Sequence, residues 1–191
     1  ENNSPRRDTQ MYYLTLFGDP AAENWGWRFE GHHLSLNFTI AGGKVVAGTP
    51  NFFASNPGEV LSGPRAGQRV LPGEEDVARA LVKSLSDEQR KKAVLDAKSP
   101  NDILTSNKND IAPFEKSGIS FADLTEAQAK NLHELIGVYV HRIRPDVAAD
   151  ELAAIEKAGL GKITFTWMGG LEKGEGHYYR VQGPTFLLEY A

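Results

Sequence analysis

The stretch Trp25-Gly26-Trp27-Arg28-Phe29-Glu30-Gly31-His32-His33-Leu34-Ser35-Leu36-Asn37-Phe38-Thr39 decides how this chain is read. Past the histidine pair it alternates. Leu34, Leu36, Phe38 and Ile40 fall to one side, and His33, Ser35, Asn37 and Thr39 to the other, which is the two-residue period of a half-buried strand. The solvated side of such a strand usually carries Thr, Lys or Glu. Here it carries imidazole, hydroxyl and amide groups, with Arg28 and Glu30 just upstream. Groups of this kind bind a metal, move a proton or hold a polar ligand, so the stretch marks a candidate site as well as a strand. Trp25 to Ile40 reads as one long strand, or as two short ones joined at Gly31, where a bulge fits.

Outward from this stretch the elements fall into three blocks. Met11 to Phe17 is rich in β-formers and is stopped by Gly18-Asp19-Pro20. Ala41-Gly42-Gly43-Lys44 reads as a hairpin turn, its glycines supplying positive φ, with Val45 and Val46 starting the returning strand. Residues 48–73 hold four prolines among several glycines, a long loop of the kind that often has a function. Its Phe52, Phe53, Val60 and Leu61 favour packing on the body over water. Helical signals follow. Glu74-Glu75-Asp76 places acid in a first turn, and Val77, Leu81 and Leu85 recur at helical spacing. Ser86 with Gln89, and Thr125 with Gln128, read as capping boxes. Leu132, Leu135, Ile136, Tyr139 and Ile143 form an apolar stripe that Pro145 ends, and a further helix runs to Gly159. Ile163, Phe165 and Trp167 then alternate with threonines, and two more strands lie in 177–182 and 185–190. This order predicts an α+β fold: an antiparallel sheet of N- and C-terminal strands with a central helical segment packed against it. It predicts a single domain over 1–191, with a loose tail at 1–10, the long loop at 48–73, a mainly helical part at 72–158 and returning strands at 162–190.

The chain has 191 residues and a net charge of -4, with no basic run to argue for nucleic acid or an anionic membrane. No apolar run is long enough to insert in a bilayer. The composition is that of a soluble globular protein. The polar start, without an initiator Met, reads as a processed or trimmed terminus. With no cysteine, disulfides, thiolate nucleophiles and Cys-ligated zinc drop out together. No P-loop, G-x-G-x-x-G or G-x-S-x-G occurs.

The chemistry then rests on five histidines. His133 and His141 stand eight apart on a helix, poor spacing for one metal, and read as a polar helix face. His177 opens His177-Tyr178-Tyr179-Arg180, which joins imidazole, phenols and guanidinium on a late strand. If that strand pairs with the Trp25–Thr39 stretch, His33 and His177 meet on one face within about 8 Å, near enough to share an ion such as zinc after modest adjustment. Glu30 or Glu189 would supply a third ligand or a base. The candidate catalytic residues are Glu30, His33, His177 and Arg180, the candidate ligand-binding residues Arg28, Asn37 and Tyr179, and the candidate metal ligands His33 and His177. Metal-assisted hydrolytic or oxidative chemistry is one reading, with a divalent transition metal as cofactor. A non-catalytic module for a carbohydrate or carboxylate is another, and a structural or interaction domain a third. A small polar ligand is the partner class indicated, and oligomeric state is left open.

The same segments, with Thr49-Pro50-Asn51-Phe52-Phe53, Leu85-Ser86-Asp87-Glu88-Gln89-Arg90 and His177-Tyr178-Tyr179-Arg180-Val181-Gln182-Gly183-Pro184, resemble an uncharacterised, mostly bacterial family, domain of unknown function 3500. The resemblance runs from about Met11 to Tyr190 and implies no established activity. It implies longer relatives, with a helical region before the equivalent of Met11 and a His-bearing segment after the equivalent of Tyr190. By that measure the chain reads as truncated at both ends. It also implies an exported, periplasmic or extracellular location.

Overall fold

A computed structural model describes residues 5–108, 111–115 and 118–191. The chain is α+β and divides into two compact units, Glu1–Leu71 and Pro72–Ala191. The first four residues of the predicted tail lie outside the described residues. A 3-10 turn at Pro5–Arg7 follows them.

The N-terminal unit is an antiparallel meander. Its strands are β1 (Tyr13–Phe17), β2 (Asn24–Gly31), β3 (Leu34–Ala41), β4 (Lys44–Ala47) and the short β5 (Phe52–Phe53). The order is β1-β2-β3-β4, with β5 also paired to β3. The Gly42-Gly43 turn forms as predicted, both residues at positive φ (56° and 73°), the mirror-image turn that suits strand twist. The Trp25–Ile40 stretch is two strands, folded back at His32-His33, with Gly31 opposite Leu34. No bulge forms at Gly31. The glycine serves a close approach instead: a Cβ there would lie 2.6 Å from the Tyr12 ring, which stacks on Phe29. The long loop returns to the sheet through β5, where Phe53 is half-buried opposite Leu34 and Phe52 stays exposed.

The C-terminal unit holds α1 (Pro72–Ser84), α2 (Asp87–Ala93), β6 (Val94–Asp96), β7 (Ile119–Ser120), α3 (Glu126–Val140), α4 (Pro145–Ala158), β8 (Thr164–Gly169), β9 (His177–Gln182) and β10 (Leu187–Tyr190). Its sheet runs β10-β9-β8-β6, with β7 also on β8, and β6 is parallel to β8. Both capping boxes form, and they interlock. Gln89 Nε2 donates to Gln128 Oε1 at 2.8 Å, and Gln128 Nε2 donates to the Ser84 carbonyl at 2.8 Å. The two helix starts are thereby tied to the end of α1. Leu81, Val82, Leu132, Leu135 and Ile136 pack with Phe165, Trp167, Tyr179 and Val181 of the sheet.

One expectation is overturned. The late strands do not rejoin the early sheet: β8, β9 and β10 pair with one another and with β6 and β7. Alternation tells that a strand exists and which side is apolar. It does not name the partner, and here most strands close through local hairpins, with β5, β6 and β7 joined across longer connections.

Candidate functional site

The predicted site residues are divided between the two units. In the N-terminal unit, cross-strand register places Arg28 opposite Asn37 and Glu30 opposite Ser35. Paired residues of neighbouring strands share a face, so the four line one side of the sheet. Arg28 Nε donates to Asn37 Oδ1 at 2.7 Å, and Asn37 Nδ2 donates to Ser35 Oγ at 3.1 Å and to the Pro50 carbonyl at 2.8 Å. Glu30 stands 3.7 Å from the guanidinium, both side chains about two-fifths exposed. Arg28 also lies over the Phe17 ring. This is a solvated, hydrogen-bonded face in which Nε of the guanidinium is held by Asn37. His33 is not on it. It occupies the hairpin turn, its ring 4.1 Å from that of His32, and its carbonyl accepts from Ala54 N–H. The strand alternation that placed His33 beside Ser35 stops at Leu34, because a turn residue is free of the pleat.

In the C-terminal unit β9 sends its side chains two ways. His177, Tyr179 and Val181 face the helices, and Tyr178, Arg180 and Gln182 face the opposite side. His177 therefore parts from Arg180 by simple alternation. On the far side Tyr178 OH donates to Glu189 Oε1 at 2.6 Å. The Leu104 and Thr105 N–H groups and the Thr105 hydroxyl also donate to that carboxylate. Glu189 is thus committed to anchoring the chain around Thr105, on the other face from His177, and does not serve as its ligand or base. Arg180, 2% exposed, lies 4.0 Å from the Phe114 ring centroid and reaches Thr166.

On the helix side His177 sits between Trp167 (4.9 Å between centroids, 8° between planes) and Tyr190 (5.4 Å, 19°). Tyr190 stacks in turn on Tyr179. His177 Nδ1 is 3.1 Å from the Glu175 carbonyl. A carbonyl only accepts, so Nδ1 carries the proton and Nε2 presents its lone pair. Nε2 is buried and has no hydrogen-bond partner among the described residues. Burial holds the imidazole below its ordinary pKa, which keeps this neutral tautomer. Beside the stack runs a chain of phenols. Tyr179 OH donates to the Glu74 carbonyl at 2.9 Å, which leaves Tyr139 OH, 2.6 Å away, as donor to Tyr179. Burial raises both phenol pKa values, so both stay protonated. The Glu74 carboxylate pairs with Arg142, itself lying over the Tyr139 ring. Arg79 bonds Glu75 at 2.6 Å and the carbonyls of Leu171 and Glu172, pinning the β8–β9 loop next to His177.

Of the predicted residues, then, Arg28, Glu30 and Asn37 come together in the N-terminal unit, where His33 lies in the hairpin turn, and His177 and Tyr179 share a face of β9 in the C-terminal unit, with Arg180 on its other face. Glu74, Arg79, Tyr139, Trp167 and Tyr190 were missed. Tyr139 and Trp167 stood in apolar stripes, and Glu74 read as helix-start acid, so none carried a separate signal. Among the described residues no group of three His, Asp or Glu is arranged to hold a metal ion. His133 and His141 are exposed on α3 and at its end, and flank an open hollow of about 380 Å³.

This is an α+β chain whose polar chemistry is gathered on two sheets. It belongs to the family described as protein of unknown function (DUF3500), whose profile matches residues 2–191. No curated protein and no solved structure matches it. No helix among the described residues is long and apolar enough to cross a membrane.

Proposed function

We propose that the C-terminal unit binds a small polar ligand that donates a hydrogen bond to His177 Nε2, with hydroxyl-bearing, carbohydrate-like molecules favoured over carboxylates. The observation that carries this is the neutral imidazole with Nδ1 fixed on the Glu175 carbonyl and a buried Nε2 that has no partner among the described residues. A buried acceptor left unsatisfied costs about 1–3 kcal/mol, so a donor there is favourable. A carboxylate has no proton to give and would meet a lone pair. The half-buried ring of Tyr190 beside His177 suits the C–H face of a sugar. Tyr179 acts through this stack, and Arg28, Glu30 and Asn37 offer a second, exposed polar face to the same class of ligand.

Metal-assisted chemistry is the second reading, favoured by one feature. Donation of Nδ1–H to a carbonyl is how a metal-ligating histidine is usually held. His177 would then be one ligand, its Nε2 the coordinating atom. Titration of the protein with neutral monosaccharides, acetate and zinc, followed by NMR at the His177 ring carbons, separates the readings. The binding reading expects shifts at His177 and Tyr190 with a neutral sugar, abolished in His177→Ala. Tight zinc binding lost in the same variant would replace it with the metal reading. No response at His177 to any of the three would sink both.

A further inference from the structure

We infer that β1 pairs antiparallel with β1 of a second copy of this chain, extending the N-terminal sheet across a two-fold axis at Thr15. β1 is an edge strand. Tyr13, Leu14, Leu16 and Phe17 are 48–66% exposed, on both of its faces. No charged residue lies between Asp8 and Asp19. An edge that is apolar and uncharged is a template for another strand, and proteins normally blunt such edges with charge or proline. The other long edge of this sheet, β4, begins with Lys44, and the edge strand β10 of the second sheet carries Glu189.

The backbone shows which groups are offered. A two-residue turn at His32-His33 makes Gly31 and Leu34 a hydrogen-bonded pair, so odd-numbered residues of β2 bond to β3. Even-numbered Gly26, Arg28 and Glu30 therefore bond toward β1, where they meet Phe17, Thr15 and Tyr13. That leaves the N–H and C=O groups of Leu14 and Leu16 pointing outward. In an antiparallel pairing centred on Thr15, Leu14 falls opposite the second copy's Leu16, and the outward groups of one strand meet those of the other. Thr15 meets its own counterpart, and Tyr13 meets the second copy's Phe17. The sequence Tyr-Leu-Thr-Leu-Phe is the same in both directions by residue class. Aromatic, aliphatic and threonine side chains thus each oppose their own kind, the pairs that stabilise neighbouring strands. Self-complementarity in both backbone parity and side-chain class is what singles out a second copy as the occupant.

Because the chain has no cysteine, the register can be read directly. Thr15 would form a non-hydrogen-bonded pair across the axis, Cα atoms about 4.5 Å apart, within reach of a disulfide. Thr15→Cys should cross-link under mild oxidation at least about tenfold faster than Leu61→Cys at an exposed loop position, because pairing raises the effective concentration. By sedimentation equilibrium the full chain should be a dimer. Leu14→Pro, which removes an outward N–H on an edge strand, and Thr15→Lys, which sets like charges on the axis beside each copy's Arg28, should give folded monomers by circular dichroism. A monomeric parent chain, a dimer that survives both substitutions, or cross-linking no faster than at Leu61 would overturn the proposal. So would occupation of the β1 edge by another segment of the same chain, seen as amide protection of Leu14 and Leu16 in a monomer.

Discussion

The two units solve the same problem with unequal means. Of the buried apolar side chains among the described residues, Ile40 alone belongs to the N-terminal unit, and the rest lie in the C-terminal unit. Most of the exposed large apolar residues are in the N-terminal unit, from Met11 and Tyr12 to Leu61 and Val70. A five-stranded sheet with no α-helix among its described residues cannot cover both faces, so its side chains remain half-buried. The C-terminal unit lays α1 and α3 on one face of its sheet and closes a dry interior there. The polar groups follow suit. Arg28, Asn37 and Glu30 bond to one another within reach of water, whereas Glu74, Tyr179 and His177 are drawn into a network where every unmet partner is expensive.

The contrast can be broken most directly in the cores. Trp167→Ala should cost about 3–5 kcal/mol. Val46→Ala, at a side chain 60% exposed on the opposite edge of the N-terminal sheet, should stay within about 0.5 kcal/mol. Urea unfolding of the two variants reads the difference, and equal losses would show that the N-terminal sheet is as cohesive as the helical unit. The ion pairs give a smaller effect of the same sense. Glu74→Ala removes the buried carboxylate that pairs with Arg142 and should cost about 3 kcal/mol. Glu30→Ala removes a partner at 3.7 Å in a two-fifths-exposed pair and should cost under about 1 kcal/mol. Thermal unfolding with each charge deleted alone tests this, and a cost at Glu30 matching that at Glu74 would contradict it.

The smallest effect is a slope. The folded pKa of His177 lies below its unfolded value of about 6.5, so between the two the unfolded chain binds more protons. Stability from this group is therefore fully present above pH of about 6.5 and is lost as pH falls toward the folded value. His177→Gln should flatten the dependence of stability on pH in that window. The Asp146 carboxyl, held at about 2 by its hydrogen bond to Arg144, titrates well below it. A variant with the same slope as the parent would mean that another group carries the pH dependence.

The legibility of these features tracks their range. Capping boxes at Ser86 and Thr125, the Gly42-Gly43 turn and the apolar stripe of α3 were all readable, because each is decided within a few residues. The site was readable in pieces. Arg28 and Asn37, nine residues apart, were both candidates and do meet, once the hairpin folds. The face that His33 takes was not readable, since a two-residue turn without a glycine pair looks like a continuing strand. Alternation alone sends Tyr179 and Arg180 to opposite faces of their strand, but which of the two would join the network around His177 and which would turn to Phe114 was not readable. A run of aromatic and basic residues looks alike from either side until the helices choose a face.

By itself the sequence determined the α+β class, the main strands and helices and the absence of thiol chemistry, all set by local periodicity and side-chain type. Only the tertiary structure decided that the late strands pair among themselves, and that Glu189 is spent on Thr105 and Tyr178. It likewise decided that His177 is half-buried between Trp167 and Tyr190, with Nδ1 bound and Nε2 without a partner among the described residues. Those outcomes depend on which surfaces exclude water from which groups, and burial is a property of the packed chain that no short stretch of residues encodes.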